Sequence, residues 1–218
     1  GSSHARLGLA APGRPVSYRE LLFFLAWRDV KVRYKQTALG AVWAVLQPLA
    51  LMAVFALILG QVLKVPSDGV PYPVFAYTAL LPWTFFAQSL NASSTSLVAN
   101  ANLVSKVYFP RLVLPISATL GFLIDLVIGL CLLVVMMALY SVQPTWWALL
   151  LPVLILFTLM TVLAAAVWLA AVSARYRDVI FGMPLLIQLW LFASPIAYSS
   201  SVIPGNWKWL YALNRWPA

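Results

Sequence analysis

Asp125 is the one ionisable side chain set deep inside a long apolar run. A carboxylate is costly to bury at such depth, so its presence points to function by default. A proton or ion relay would need a second such group, and the sequence supplies none nearby. The plainer role is to accept a hydrogen bond from a neighbouring helix, since no charged partner is visible at that depth. Acid–base or metal chemistry elsewhere needs converging acids, bases or ligands. The chain has five carboxylates, Glu20, Asp29, Asp68, Asp125 and Asp178, scattered over 218 residues, and one histidine, His4. No catalytic site, metal site or bound cofactor is expected from that supply. No Gly-Lys dipeptide occurs, so no phosphate-cradling GxxxxGK[ST] loop exists. If ATP drives this protein, a separate subunit must bind the nucleotide and its Mg.

A second set of chemically capable residues is polar but not ionisable. Gln88, Asn91, Thr95 and Asn102 follow one another at three, four and seven residues, which puts them on one helical face while Phe85 and Leu90 point elsewhere. Such a face either hydrogen-bonds to neighbouring helices or walls a polar, water-accessible path. The aromatic residues Trp43, Tyr77, Trp83, Phe85 and Phe86 either stack on sugar rings along such a path or serve as belt and packing residues. Taken together, the candidate transport path is Trp43, Tyr77, Trp83, Phe85, Phe86, Gln88 and Asn91.

The elements that must position these groups are membrane helices. Hydrophobic residues make up 63% of the chain and charged residues only 9%, with a mean hydropathy of +0.93. That is too little charge to cover a soluble domain, so lipid is the main solvent. Residues 112–174 contain no Lys, Arg or Glu and only the one Asp. The predicted architecture is all-α and polytopic, with five spans at about 38–63, 72–90, 112–140, 146–174 and 179–198. Pro48, Pro82, Pro115, Pro152 and Pro184 fall in or near these runs and predict kinks or local breaks.

Ahead of the spans, Ser17 to Glu20 has the capping-box pattern of a helix start. Phe23, Trp27, Val30 and Tyr34 then recur at helical spacing among Arg28, Asp29, Lys31, Arg33 and Lys35. This predicts an amphipathic interface helix with its aromatic stripe in the acyl boundary, too charged to span. Residues 1–4 resemble a tag remnant, 5–37 form the N-terminal segment with the interface helix, and 38–218 form one membrane domain.

The net charge of +9 is not gathered into one face, which argues against nucleic acid. With the N-terminus inside, eleven of the 14 Lys and Arg residues fall on the inner side, and Lys64, Lys208 and Arg215 fall outside. The asymmetry places the N-terminus in the cytoplasm and residues 199–218, with Trp207, Trp209, Tyr211 and Trp216, at the outer interface. Cys131 is the lone cysteine and precludes an intrachain disulfide.

The run Trp27-Arg28-Asp29-Val30-Lys31-Val32-Arg33-Tyr34-Lys35-Gln36-Thr37-Ala38-Leu39-Gly40, with Trp43, Gln47 and Pro48 after it, resembles the N-terminal signature of bacterial ABC-type polysaccharide exporter permeases. Asn100-Ala101-Asn102-Leu103-Val104, then Val107-Tyr108-Phe109-Pro110-Arg111, then Arg175-Tyr176-Arg177-Asp178 resemble further segments of that family in the same order. The resemblance implies a homodimer with six spans per subunit in the bacterial inner membrane, bound to two copies of an ATPase. It implies an interface helix carrying Phe23, Trp27, Arg28, Lys31, Arg33 and Lys35. It also implies a cytoplasmic coupling helix whose ATPase contact is Lys106, Val107, Tyr108, Phe109, Pro110 and Arg111. The implied cargo is a polysaccharide on a polyprenyl-pyrophosphate or similar lipid. The family usually continues into a last span, whereas this sequence stops at Ala218. The rival readings are a transporter or channel driven by an ion gradient and, behind it, a membrane scaffold subunit.

Overall fold

A computed structural model describes residues 18–35, 40–65, 67, 69–106 and 110–194. They form α1 (Tyr18–Lys35), α2 (Gly40–Phe55), α3 (Tyr72–Ala99), α4 (Ala101–Lys106), α5 (Val113–Leu139), α6 (Leu151–Arg175) and α7 (Asp178–Ala193). A π-helical segment, Ala56–Val62, prolongs α2, and a 3₁₀ turn, Trp146–Leu150, leads into α6. No strand is present among the described residues. The fold is that of a polytopic helical membrane protein.

Three helical stretches are long and apolar enough to cross a bilayer, Val45–Val62, Val113–Leu139 and Ala148–Arg175, and Asp178–Ala193 is a shorter apolar helix. Outward-facing side chains such as Phe157, Trp168, Phe181 and Phe192 are mostly exposed, as lipid contact requires. The expected second span differs. It does form a helix, and with 28 residues α3 is roughly 42 Å long. Its hydropathy nevertheless falls short of the other three because it lies at the centre, packed on α2, α5, α6 and α7. Protein, not lipid, solvates it.

That position explains its serines. Ser89, Ser93, Ser94 and Ser96 are buried, and the last two return their hydroxyls to carbonyls three residues back, at Asn91 and Ser93. Self-satisfaction of this kind removes most of the cost of a hydroxyl in an apolar bundle. Ser93 instead reaches α5, where its hydroxyl lies 3.2 Å from that of Thr119 and 3.3 Å from the Pro115 carbonyl. Farther along the same antiparallel seam, the Tyr77 hydroxyl donates to the Gly129 carbonyl at 3.4 Å. A Cβ at Gly129 would stand 2.3 Å from Leu81 Cδ2, so this crossing requires the residue with no side chain.

None of the five prolines breaks its helix. Pro115 and Pro152 sit in the first turns of α5 and α6, where no hydrogen bond is lost. Pro48, Pro82 and Pro184 lie within helices that continue through them. The break in helical type comes at Ala56–Val62, where the chain widens into π geometry beside Tyr72.

Candidate functional site

One narrow cleft brings α2, α3 and α5 together. Its walls are Pro48 from α2, Leu81, Thr84, Phe85 and Gln88 from α3, and Phe122, Asp125 and Leu126 from α5. The α3 residues recur at the three- and four-residue steps of one helical face, and so do those of α5, so one face of each helix supplies most of the walls. Gln88 Nε2 donates to Gln47 Oε1 across the mouth at 3.4 Å.

Asp125 does have a charged partner, contrary to the sequence-based expectation. Arg33 Nη1 lies 2.7 Å from its Oδ2, and the Tyr34 hydroxyl donates to its Oδ1. The Arg33 guanidinium also lies over the Phe122 ring, 3.7 Å from its centroid. The expectation failed because the partner comes from the helix assigned to the interface. That helix docks lengthwise on α5: Leu25 is buried against Val113 and Leu114, Val30 and Arg33 close over Gly121, and Arg33 and Tyr34 reach Asp125. The predicted aromatic stripe is thereby divided. Phe23 and Trp27 stack on each other at 6.4 Å and stay outward, with Lys31 5.8 Å from the Trp27 ring, while Val30 and Tyr34 turn onto α5. Arg28 pairs with Asp29 at 2.8 Å and reaches Asn100 Oδ1 at 3.4 Å, at the corner between α3 and α4.

The other candidate residues separate into groups. Phe85 and Gln88 line the cleft together, although the spacing argument had turned Phe85 away from Gln88. Trp83 and Phe86 face α7, where both meet Trp190 edge-on at 6.5 and 5.4 Å, and Tyr77 is wholly buried against α5. Trp43 is half exposed on α2. Asn91 is partly buried, and its Oδ1 has no hydrogen-bond donor among the described residues. Asn102 leaves the polar face, because the helix breaks at Asn100 and Asn102 lies exposed on α4. Pro110 and Arg111 are exposed at the start of α5. The side chains of Lys35 and Lys106, all of Val107, Tyr108 and Phe109, the Ser17 cap, the tag-like residues 1–4 and the aromatic segment 199–218 lie outside the described residues.

No three His, Cys, Asp or Glu side chains come together among the described residues to hold a metal ion. The arrangement is a polar, aromatic-walled slot with one ion pair at its edge. Residues 20–215 match the family described as ABC-2 type transporter. The chain belongs to that family. This ABC-2 transporter chain is 35% identical over 187 residues to the O-antigen export system permease protein RfbA of Myxococcus xanthus, covering 85% of the chain and 71% of that protein. It is 30% identical over 196 residues to the protein of the same name from Klebsiella pneumoniae, covering 89% and 75%. The polysialic acid transport protein KpsM of Escherichia coli is 25% identical over 191 residues, covering 85% of the chain and 72% of its own length.

Sequence reasoning about the ABC-2 chain missed Thr84 and Phe122 as cleft residues. Phe122 lies three residues before Asp125 and could have been found by asking which residues share the face of the lone carboxylate. Thr84 carried no such signal. It bonds its own helix at the Leu81 carbonyl, as hydroxyls in spans commonly do.

Proposed function

We propose that this chain is the membrane-spanning permease of an ATP-driven exporter that carries a lipid-linked polysaccharide across the bacterial inner membrane. Two copies work with two copies of a separate ATPase, which binds the ATP and Mg. The observation that carries the reading is the family match over residues 20–215, joined to relatives named for O-antigen export and polysialic acid transport. The residues of the narrow cleft bear on it only by type: a sugar chain presents CH faces and hydroxyls, and Thr84 and Gln88 beside the buried Phe85 are the hydrogen-bonding and aromatic groups that would meet it once the helices part.

The direct test deletes the gene and follows the surface glycans. Loss of one glycan, restored by the wild-type gene, is the expected result; an unaltered glycan profile would remove the reading. In the complemented strain, the triple substitution Phe85→Ala, Gln88→Ala and Asn91→Ala is expected to reduce export by about tenfold at normal protein level, the effect of losing about 1.4 kcal/mol of contact along the path. Normal export in that variant would exclude these three as path residues.

Orientation is tested separately. On this reading residues 5–37, 100–111 and 175–178 face the cytoplasm, which the distribution of Lys and Arg supports. In a Cys131→Ser background, Asp68→Cys is expected to react with an impermeant maleimide in intact cells, and Lys106→Cys only after permeabilisation. The reverse pattern would invert the topology.

A further inference from the structure

Asp125 and Arg33 are 92 positions apart in sequence, yet each supplies the other's partner at 2.7 Å. Asp125 lies near the middle of α5, 12 residues beyond Val113, or about 18 Å along the helix. Its side chain is only 14% exposed. A carboxylate so placed is stable when paired and hydrogen-bonded and costly when left alone. Both of its oxygens are engaged from α1, one by Arg33 and one by Tyr34. The guanidinium in turn rests on Phe122, one turn away on the same face of α5. The buried apolar residues of α1 are Leu25 and Val30, with Leu21 and Leu22 partly buried, while Phe23, Phe24 and Trp27 face outward.

The same helix ends its reach at a second place. Arg28 touches Asn100, where α3 gives way to α4, and Leu97 packs on the cluster that holds Leu25. One helix therefore spans from the α3–α4 corner to the edge of the cleft.

We propose that Asp125 is a positioning residue that pins α1 to α5 through Arg33 and Tyr34, so that α1 acts as a strut between the α3–α4 corner and the cleft. A displacement at the corner is then delivered to the cleft wall at Phe122 and Asp125, and not dissipated by α1 sliding on α5. That the displacement serves export rests on the permease reading given above; the pin itself does not.

The experiment uses the full-length chain in membranes, in a Cys131→Ser background with Val30→Cys and Gly121→Cys. A Cβ at Gly121 would lie 3.8 Å from Val30 Cγ2, so this pair reports α1 docked on α5. Disulfide formation under mild oxidant is measured alongside glycan export in cells that lack the engineered pair. Asp125→Asn and Arg33→Gln are each expected to slow cross-linking by about tenfold, as breaking a part-buried ion pair should, and to reduce export in step. The exchanged variant, Arg33→Asp with Asp125→Arg, is expected to recover both, which a general folding defect would not allow. Should a single variant fail to accumulate, the exchanged variant and Tyr34→Phe carry the test. The pin is overturned if Asp125→Asn cross-links at the parent rate, or if the exchanged variant recovers neither quantity. The strut is overturned if cross-linking falls while export is unchanged. If the unmodified chain supports no glycan export at all, the permease reading fails, and the cross-linking arm still decides the pin.

Discussion

Gly129→Leu is expected to prevent stable assembly of the helix bundle. Even a single methyl at this position would press to 2.3 Å from Leu81 Cδ2 and to 3.5 Å from the Tyr77 hydroxyl, which itself donates to the Gly129 carbonyl. Leu81 and Tyr77 are both buried in the central helix, so a side chain at 129 must displace the end of Leu81 toward the narrow cleft that it lines. Overpacking of a dense core costs about 1–3 kcal/mol for small insertions. A leucine adds three carbons beyond that methyl, so a loss of about 3 kcal/mol or more is expected, a large fraction of typical net stability. The measurement is the yield of monodisperse protein in mild detergent, with its thermal midpoint. Gly129→Ala should fall between the parent and Gly129→Leu, and Leu81→Ala should rescue Gly129→Ala by emptying the space its Cβ needs. Additive losses in that double variant would show that the close approach is not what makes glycine necessary.

The double substitution Tyr108→Ala and Phe109→Ala is expected to abolish export while leaving insertion intact. The chain contains no nucleotide-binding loop, so under the proposed function the power stroke must cross a protein contact on the cytoplasmic side. These two aromatics stand between Lys106 and Arg111, just after α4 and just before α5. Buried aromatic anchors contribute about 2 kcal/mol or more each to an interface, so removing both weakens it by about a thousandfold if the losses add. The cations orient the contact more than they tighten it. Copurification of the ATPase and surface glycan are the two readouts, and both should disappear together at normal permease level. A loop that only fixes topology through its charges predicts the opposite, with both readouts retained.

How far the sequence could be read depended on what each residue meets. The spans Val113–Leu139 and Ala148–Arg175 agree with the sequence to within two residues, because composition alone reports a helix solvated by hydrocarbon. The boundary of α3 is less legible: the apolar run ends near Leu90, whereas the helix continues through a polar stretch to Ala99. Its buried serines lower the hydropathy, and two of them, Ser94 and Ser96, are satisfied by their own backbone. Packing across helices was not legible at all. Asp125 appeared alone because Arg33 belongs to a segment whose charge marks it as interfacial, and periodicity carries no information about which helix docks where. Tyr77, Trp83, Phe85 and Phe86 were chosen together as aromatic residues of one span. The bundle sends them three ways, to α5, to α7 and to the cleft, since successive positions on a helix fan out by 100°.

The central placement of α3 has a consequence for how the chain is made. Most of its packing partners, α5, α6 and α7, are encoded after it, and only α2 precedes it. A nascent chain that ends shortly after α3 therefore offers this helix little of the surroundings it occupies in the finished bundle, and its serines, its one asparagine and its glutamine gain little from hydrocarbon alone. Thr119 and Gly129, which it meets along the antiparallel seam, belong to α5 and so enter the chain only after it.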